Sequence, residues 1–165
     1  MSRRGPRYAL ISILLLLATL HFVAPGLVGD VRFIPDFLLL ALLVYAIRAR
    51  PGQAAIAGFA VGLVADSLTP AAFGAGALAY TAVAYLAAWG KAVFFVESLF
   101  VNLGFIFVGV WMRDLLVLLV GRPVDNAVLG WQLVLWSPLK AFVTAAAGAI
   151  TLLVFRRTLK VRISE

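Results

Sequence analysis

The chain has 165 residues, 64% hydrophobic and 13% charged, where a soluble domain averages roughly 45–50% and about 25%. Its 14 basic and 7 acidic residues are scattered among unbroken apolar runs and cannot cover a domain surface, so a water-soluble fold is excluded and lipid is the solvent. Without cysteine there is no disulfide or thiolate chemistry, one histidine cannot build a metal site, and a charge of +7 marks basic cytoplasmic loops rather than a nucleic-acid surface.

Arg3, Arg4 and Arg7 precede the first apolar run, residues 8–29, which is too long for a signal-peptide core and reads as an uncleaved first span with its N-terminus inside. His21 lies in its outer part and is expected to make an interhelical hydrogen bond. The second run, 34–47, begins with Pro35 at a helix N1 position and is short for a span of about 20 residues. Snorkelling by Arg48 and Arg50, or local bilayer thinning, would let it cross. A third run, 53–68, is rich in Ala and Gly and is closed by Pro70; a fourth covers 74–90. The fifth and sixth, 97–120 and 132–155, flank the longest external loop. Lys91 and Glu97 bracket a segment that is either an interfacial turn or a helix extension. The expected fold is therefore an all-α membrane bundle of six helices, one domain over 1–165. Ten of the 14 basic residues fall inside on this topology, which places both termini in the cytoplasm.

Five charges remain within the spans: Asp36, Asp66, Arg113, Asp114 and Lys140. The topology puts all five in the outer half of the membrane. A charge at bilayer centre costs on the order of 2.5–3.5 kcal/mol, so these groups are expected to face the bundle interior. Two readings fit them: an ion-pair network that fixes helix packing, or a polar cavity that opens outward to a ligand or a partner segment. Ala54, Gly58, Gly62 and Asp66 draw a stripe of small residues along one face, with Gly58 and Gly62 forming a GxxxG pair. Asn102, Gly109 and Arg113 share another face, as do Lys140, Thr144, Gly148 and Thr151. No activated Ser or His arrangement, phosphate loop or metal-ligand spacing accompanies the carboxylates, which argues against an enzyme and against a bound cofactor.

Pro35-Asp36-Phe37-Leu38-Leu39-Leu40, then Gly58-Phe59-Ala60-Val61-Gly62-Leu63-Val64-Ala65-Asp66, then Phe73-Gly74-Ala75-Gly76-Ala77-Leu78 through Tyr85-Leu86, resembles the rod shape-determining MreD family. Asp36, Gly58, Gly62, Asp66 and Gly74 are the matched positions, with Gly58, Gly62, Gly74 and Gly109 expected to serve helix packing. The resemblance implies a multi-pass protein of the bacterial cell inner membrane, not an enzyme. Its fold would be like that of the substrate-binding S-components of vitamin transporters. It further implies work in the elongation machinery that inserts peptidoglycan, with MreC as direct partner and MreB, RodA and the elongation penicillin-binding protein beyond it. Two other classes stay open: a small-molecule-binding subunit of a vitamin-type transporter, with Trp111, Trp136 and Ser137 nearest the charges, and a coupled transporter using Asp66 as proton carrier. The lack of an inverted repeat weighs against the last.

Overall fold

A helix that is apolar on every face can be stable only where other protein surrounds it, and the second apolar run is such a helix. The computed structural model describes residues 5–27, 34–68, 73–93, 99–120 and 130–154. They form α1 (Gly5–Leu27), α2 (Phe37–Ala46), α3 (Pro51–Leu68), α4 (Ala75–Val93), α5 (Leu99–Val120) and α6 (Ser137–Val154), the last introduced by a π-helical turn, Gln132–Trp136. No strand occurs among the described residues. The bounds agree with the apolar runs to within one helical turn. Pro51–Leu68, Phe100–Val120 and Gln132–Val154 are long and apolar enough to cross a membrane; Ile11–Ala24, Phe37–Ala46 and Ala75–Gly90 are shorter apolar helices.

The shortest helix is the hub. α2 packs against α1, α3, α4, α5 and α6, and its residues Leu38 through Val44, with Ala46, are buried. Sequence alone suggests that this short helix must thin the bilayer or rely on snorkelling arginines. In the structure the sides of α2 meet the other helices and are buried. Its connection to α3 is tight, with the Ala49 N–H donating to the Tyr45 carbonyl and the Ala54 N–H to the Arg50 carbonyl. Around the hub, the outward faces carry Ile56, Phe59, Leu78, Phe100, Phe142 and Ile150 in exposed positions. Buried polar residues inside and large apolar ones outside suit a lipid surround.

The helix pairs differ in how closely they approach. α3 and α4 form the most intimate pair, and Gly58 and Gly62 are the reason. A Cβ at Gly58 would stand 2.9 Å from the Tyr80 carbonyl carbon, and one at Gly62 would stand 2.7 Å from the Gly76 carbonyl oxygen and 2.8 Å from the Ala77 nitrogen. Those obstacles are backbone and cannot yield. Gly109 packs less tightly, with Leu43 Cδ1 and Val83 Cγ1 at 3.2 and 3.4 Å from its Cβ position. Gly74 does not pack as expected: a Cβ there would meet open space. Its φ of +97° shows that it serves the turn before α4 instead.

Lys91 lies in the last turn of α4, so this part of the 91–97 segment extends the helix; residues 94–98 lie outside the described residues. So do Arg3, Arg4, Asp30, Arg32, Arg122, Asp125, and the four basic residues after Val154.

Candidate functional site: an ion chain and a cavity at one end of the bundle

Asp36 is the N-cap of α2, with Phe37 as first helical residue, so Pro35 precedes the cap rather than occupying N1. The cap works because the first turn of any helix has N–H groups without helical partners. Asp36 Oδ1 accepts from the Leu39 N–H at 3.0 Å, while its own N–H donates to Thr144 Oγ1 of α6 at 3.0 Å. The Tyr80 hydroxyl of α4 donates to Asp36 Oδ2 at 3.2 Å. From α5, Arg113 gives Nη2 to Asp36 Oδ2 and Nη1 to Asp114 Oδ1, the latter at 2.8 Å. The guanidinium carbon lies 5.4 Å from the Tyr80 ring centroid, a cation–π arrangement. Side chains or backbone from four helices thus meet on one residue that is 1% exposed, three of them on its carboxylate, and alternating charges run Asp36, Arg113, Asp114.

α1 contributes His21, whose Nδ1 stands 3.8 Å from Asp36 Oδ1. That is an ion-pair separation, and Nδ1 has no hydrogen-bond partner among the described residues. At Nδ1 the interhelical contact expected of His21 is this approach to the buried acid rather than a hydrogen bond. Arg113 Nε is likewise without a hydrogen-bond partner there.

Asp66 stands apart from this chain. From the end of α3 it accepts the Gly74 and Ala77 N–H groups on Oδ2 and the Gly76 N–H on Oδ1, each at 2.9 Å. A carboxylate held this way caps α4 and meets the positive end of its dipole. It makes no ion pair with Arg113 or Lys140. The five intramembrane charges expected to form one cluster thus divide into a capping group and a separate group of four. The cap needs no Cβ at position 76, since one there would run into the Asp66 carboxylate.

The fourth charge, Lys140, lines a cavity of about 270 Å³ between α5 and the start of α6 with Arg113, Asp114, Gln132, Trp136 and Ser137. Val117 and Leu118 complete its wall. The π turn shapes this wall: the Ser137 N–H reaches back to the Gln132 carbonyl, five residues earlier. Trp111 Nε1 of α5 donates to the Leu133 carbonyl of the same turn at 3.2 Å.

Sequence reasoning brought Asp36, Arg113, Asp114 and Lys140 to one depth, and the structure joins the first three directly while Lys140 shares the cavity. It missed Tyr80, because an aromatic among alanines reads as core. It also missed the Gly74, Gly76 and Ala77 amides as the partners of Asp66, although two glycines after a helix-ending aspartate are the available signal. Thr144 was placed on the Lys140 stripe without a role; its hydroxyl accepts from the Asp36 N–H and donates to the Lys140 carbonyl at 2.8 Å. Among the described residues no three His, Cys, Asp or Glu side chains converge as a metal site would need.

Comparison with curated proteins found no match, and neither did comparison with solved structures. Comparison with protein families did: residues 2–156 match the model of rod shape-determining protein MreD. A match over nearly the whole length, on a chain of apolar helices, assigns the protein to cell-shape determination. The chain belongs to the rod shape-determining protein MreD family.

Proposed function

We propose that this chain is a non-enzymatic scaffold of the bacterial inner membrane, one domain of six spans with cytoplasmic termini, whose fold is of the transporter S-component kind. It binds MreC and thereby helps to organise peptidoglycan synthesis during cell elongation, with MreB, RodA and the elongation penicillin-binding protein reached through that contact. The observation that carries the reading is the family match over residues 2–156.

The geometry supports it in two ways. First, the bundle is built to be rigid: α2 is encased by five helices, the α3–α4 seam is closed by glycines, and Asp36 ties four helices together. A scaffold needs a surface whose shape persists, and the ion chain maintains it from inside. Second, an apolar groove of about 410 Å³ lies between α1 and α3 over α2, lined by Leu14, Leu38, Leu42, Ala57 and Val61 among others. A groove of this kind accepts the ridge of a single transmembrane helix, where packing rather than hydrophobicity drives association.

The test is recovery of MreC with affinity-purified protein from membranes. Wild type brings MreC down, and Ala57→Phe, which fills the groove without touching the ion chain, lowers the yield while inserting normally. Undiminished recovery with Ala57→Phe removes the groove from the contact. Absence of MreC from the wild-type preparation overturns the function.

A further inference from the structure

The α5–α6 cavity has a feature that the scaffold role does not use. Lys140 and Asp114 line the same space with opposite charges, yet they form no ion pair with each other. Asp114 spends Oδ1 on Arg113, and Lys140 makes no ion pair with any described acid. In a low-dielectric surround, opposite charges left apart call for something between them. Within this group the two acids Asp36 and Asp114 match the two bases Arg113 and Lys140 in number. A neutral occupant carrying both signs would satisfy both ends without adding net charge.

We infer that this cavity binds a zwitterionic phosphate ester bearing a primary ammonium, as on the headgroup of an ethanolamine phospholipid. Lys140 takes the phosphate, with the Gln132 amide and Ser137 hydroxyl at hand as further donors on the same wall. Asp114, through its second oxygen, takes the ammonium. Trp136 and the apolar Val117 and Leu118 border the rest. The π turn at Gln132–Trp136 is what gives α6 this wall, and such turns are frequent at functional sites. The volume of about 270 Å³ exceeds the roughly 30 Å³ share of a single water several-fold, room for a headgroup rather than a bridging water. The inference rests on the membrane-spanning reading of α5 and α6, and its test separates the two.

The full-length protein is stripped of lipid in detergent and titrated, by native mass spectrometry, with ethanolamine, choline and glycerol phospholipids of identical acyl chains. A parallel arm uses free O-phosphoethanolamine. The ethanolamine lipid is expected to bind at least about tenfold tighter than the glycerol lipid, the worth of one charge-assisted hydrogen bond. Asp114→Asn should erase that preference, Lys140→Met should weaken binding of all three lipids together, and Lys140→Arg should keep most of the affinity. Retention of free O-phosphoethanolamine at the same affinity supports the site with a soluble source of the group; binding of the lipid alone supports the headgroup. Equal binding of all three lipids, a preference unchanged in Asp114→Asn, or an affinity unchanged in Lys140→Met, overturns the site. Where the wild type and these variants are recovered from membranes, such a result leaves the spanning topology standing, whereas failure of the wild type to insert condemns that topology instead.

Discussion

Two helix pairs carry buried or half-buried charges, and they handle them in opposite ways. In the α3–α4 hairpin, Asp66 is satisfied by three backbone N–H groups and the helices touch through Gly58 and Gly62 with no space between. In the α5–α6 pair, Arg113 and Asp114 pair with each other, Lys140 stands off, and a cavity remains. The first arrangement is closed: backbone donors cannot move away, and every acceptor oxygen of Asp66 is used. The second is held by side chains and leaves acceptor and donor capacity over. The difference teaches where to look for structure and where for binding, since a polar group met by its own backbone has nothing left to offer a partner.

The comparison can be broken at four points. The largest effect is expected at Arg113, whose removal strands Asp36 and Asp114 as buried like charges. Arg113→Met should lower stability by about 3–5 kcal/mol, read as a loss of folded fraction on denaturant titration in detergent. The triple change Asp36→Asn, Arg113→Met, Asp114→Asn should regain most of it; no recovery would mean that packing around Arg113, and not charge, is what holds the region.

Asp66→Ala comes next, at about 2–3 kcal/mol, since it uncaps α4 and leaves amide groups without acceptors. Hydrogen exchange should rise at Gly74, Gly76 and Ala77 while Asp36 contacts persist. Simultaneous loss at both places would show that the two regions are one unit.

Gly62→Ala should cost about 1–3 kcal/mol, because the added carbon meets the α4 backbone; a crosslink between cysteines placed on α3 and α4 would slow accordingly. Gly109→Ala, facing flexible Leu43 and Val83 side chains, should cost visibly less by thermal melting. Parity between the two would refute the distinction between a backbone seam and a side-chain contact.

The smallest effect belongs to Lys140. In lipid-free detergent, Lys140→Met should change stability by less than about 1 kcal/mol, since no ion pair is broken. A large loss there would reveal that Lys140 is structural after all, and would place the α5–α6 pair in the same class as the hairpin.

Much of this was legible in the chain before any coordinates. Apolar runs interrupted by Pro and charged turns marked all six helices, because a helix in lipid must be apolar along its length and its ends must return to water. The small-residue stripe ending in Asp66 announced a close helix contact, since close approach demands small side chains and nothing else substitutes. Counting residues from each helix end groups Asp36, Asp66, Arg113, Asp114 and Lys140, and the structure joins Asp36, Arg113 and Asp114 of these in one ion chain.

What residue counting could not yield was azimuth and partner. Asp66 and Asp36 are both buried carboxylates, yet one turns to the backbone of α4 and the other to Arg113. That choice depends on how helices rotate against one another, which is decided by packing summed over the whole bundle. For the same reason α2 reads as a short span under strain, while its real circumstance is burial among five neighbours. Local composition determined the helices and their apolar character, because those follow from solvation of single segments. Only the tertiary structure decided which charges meet, which are capped and where a cavity stays open, because each of those is a relation between segments far apart in the chain.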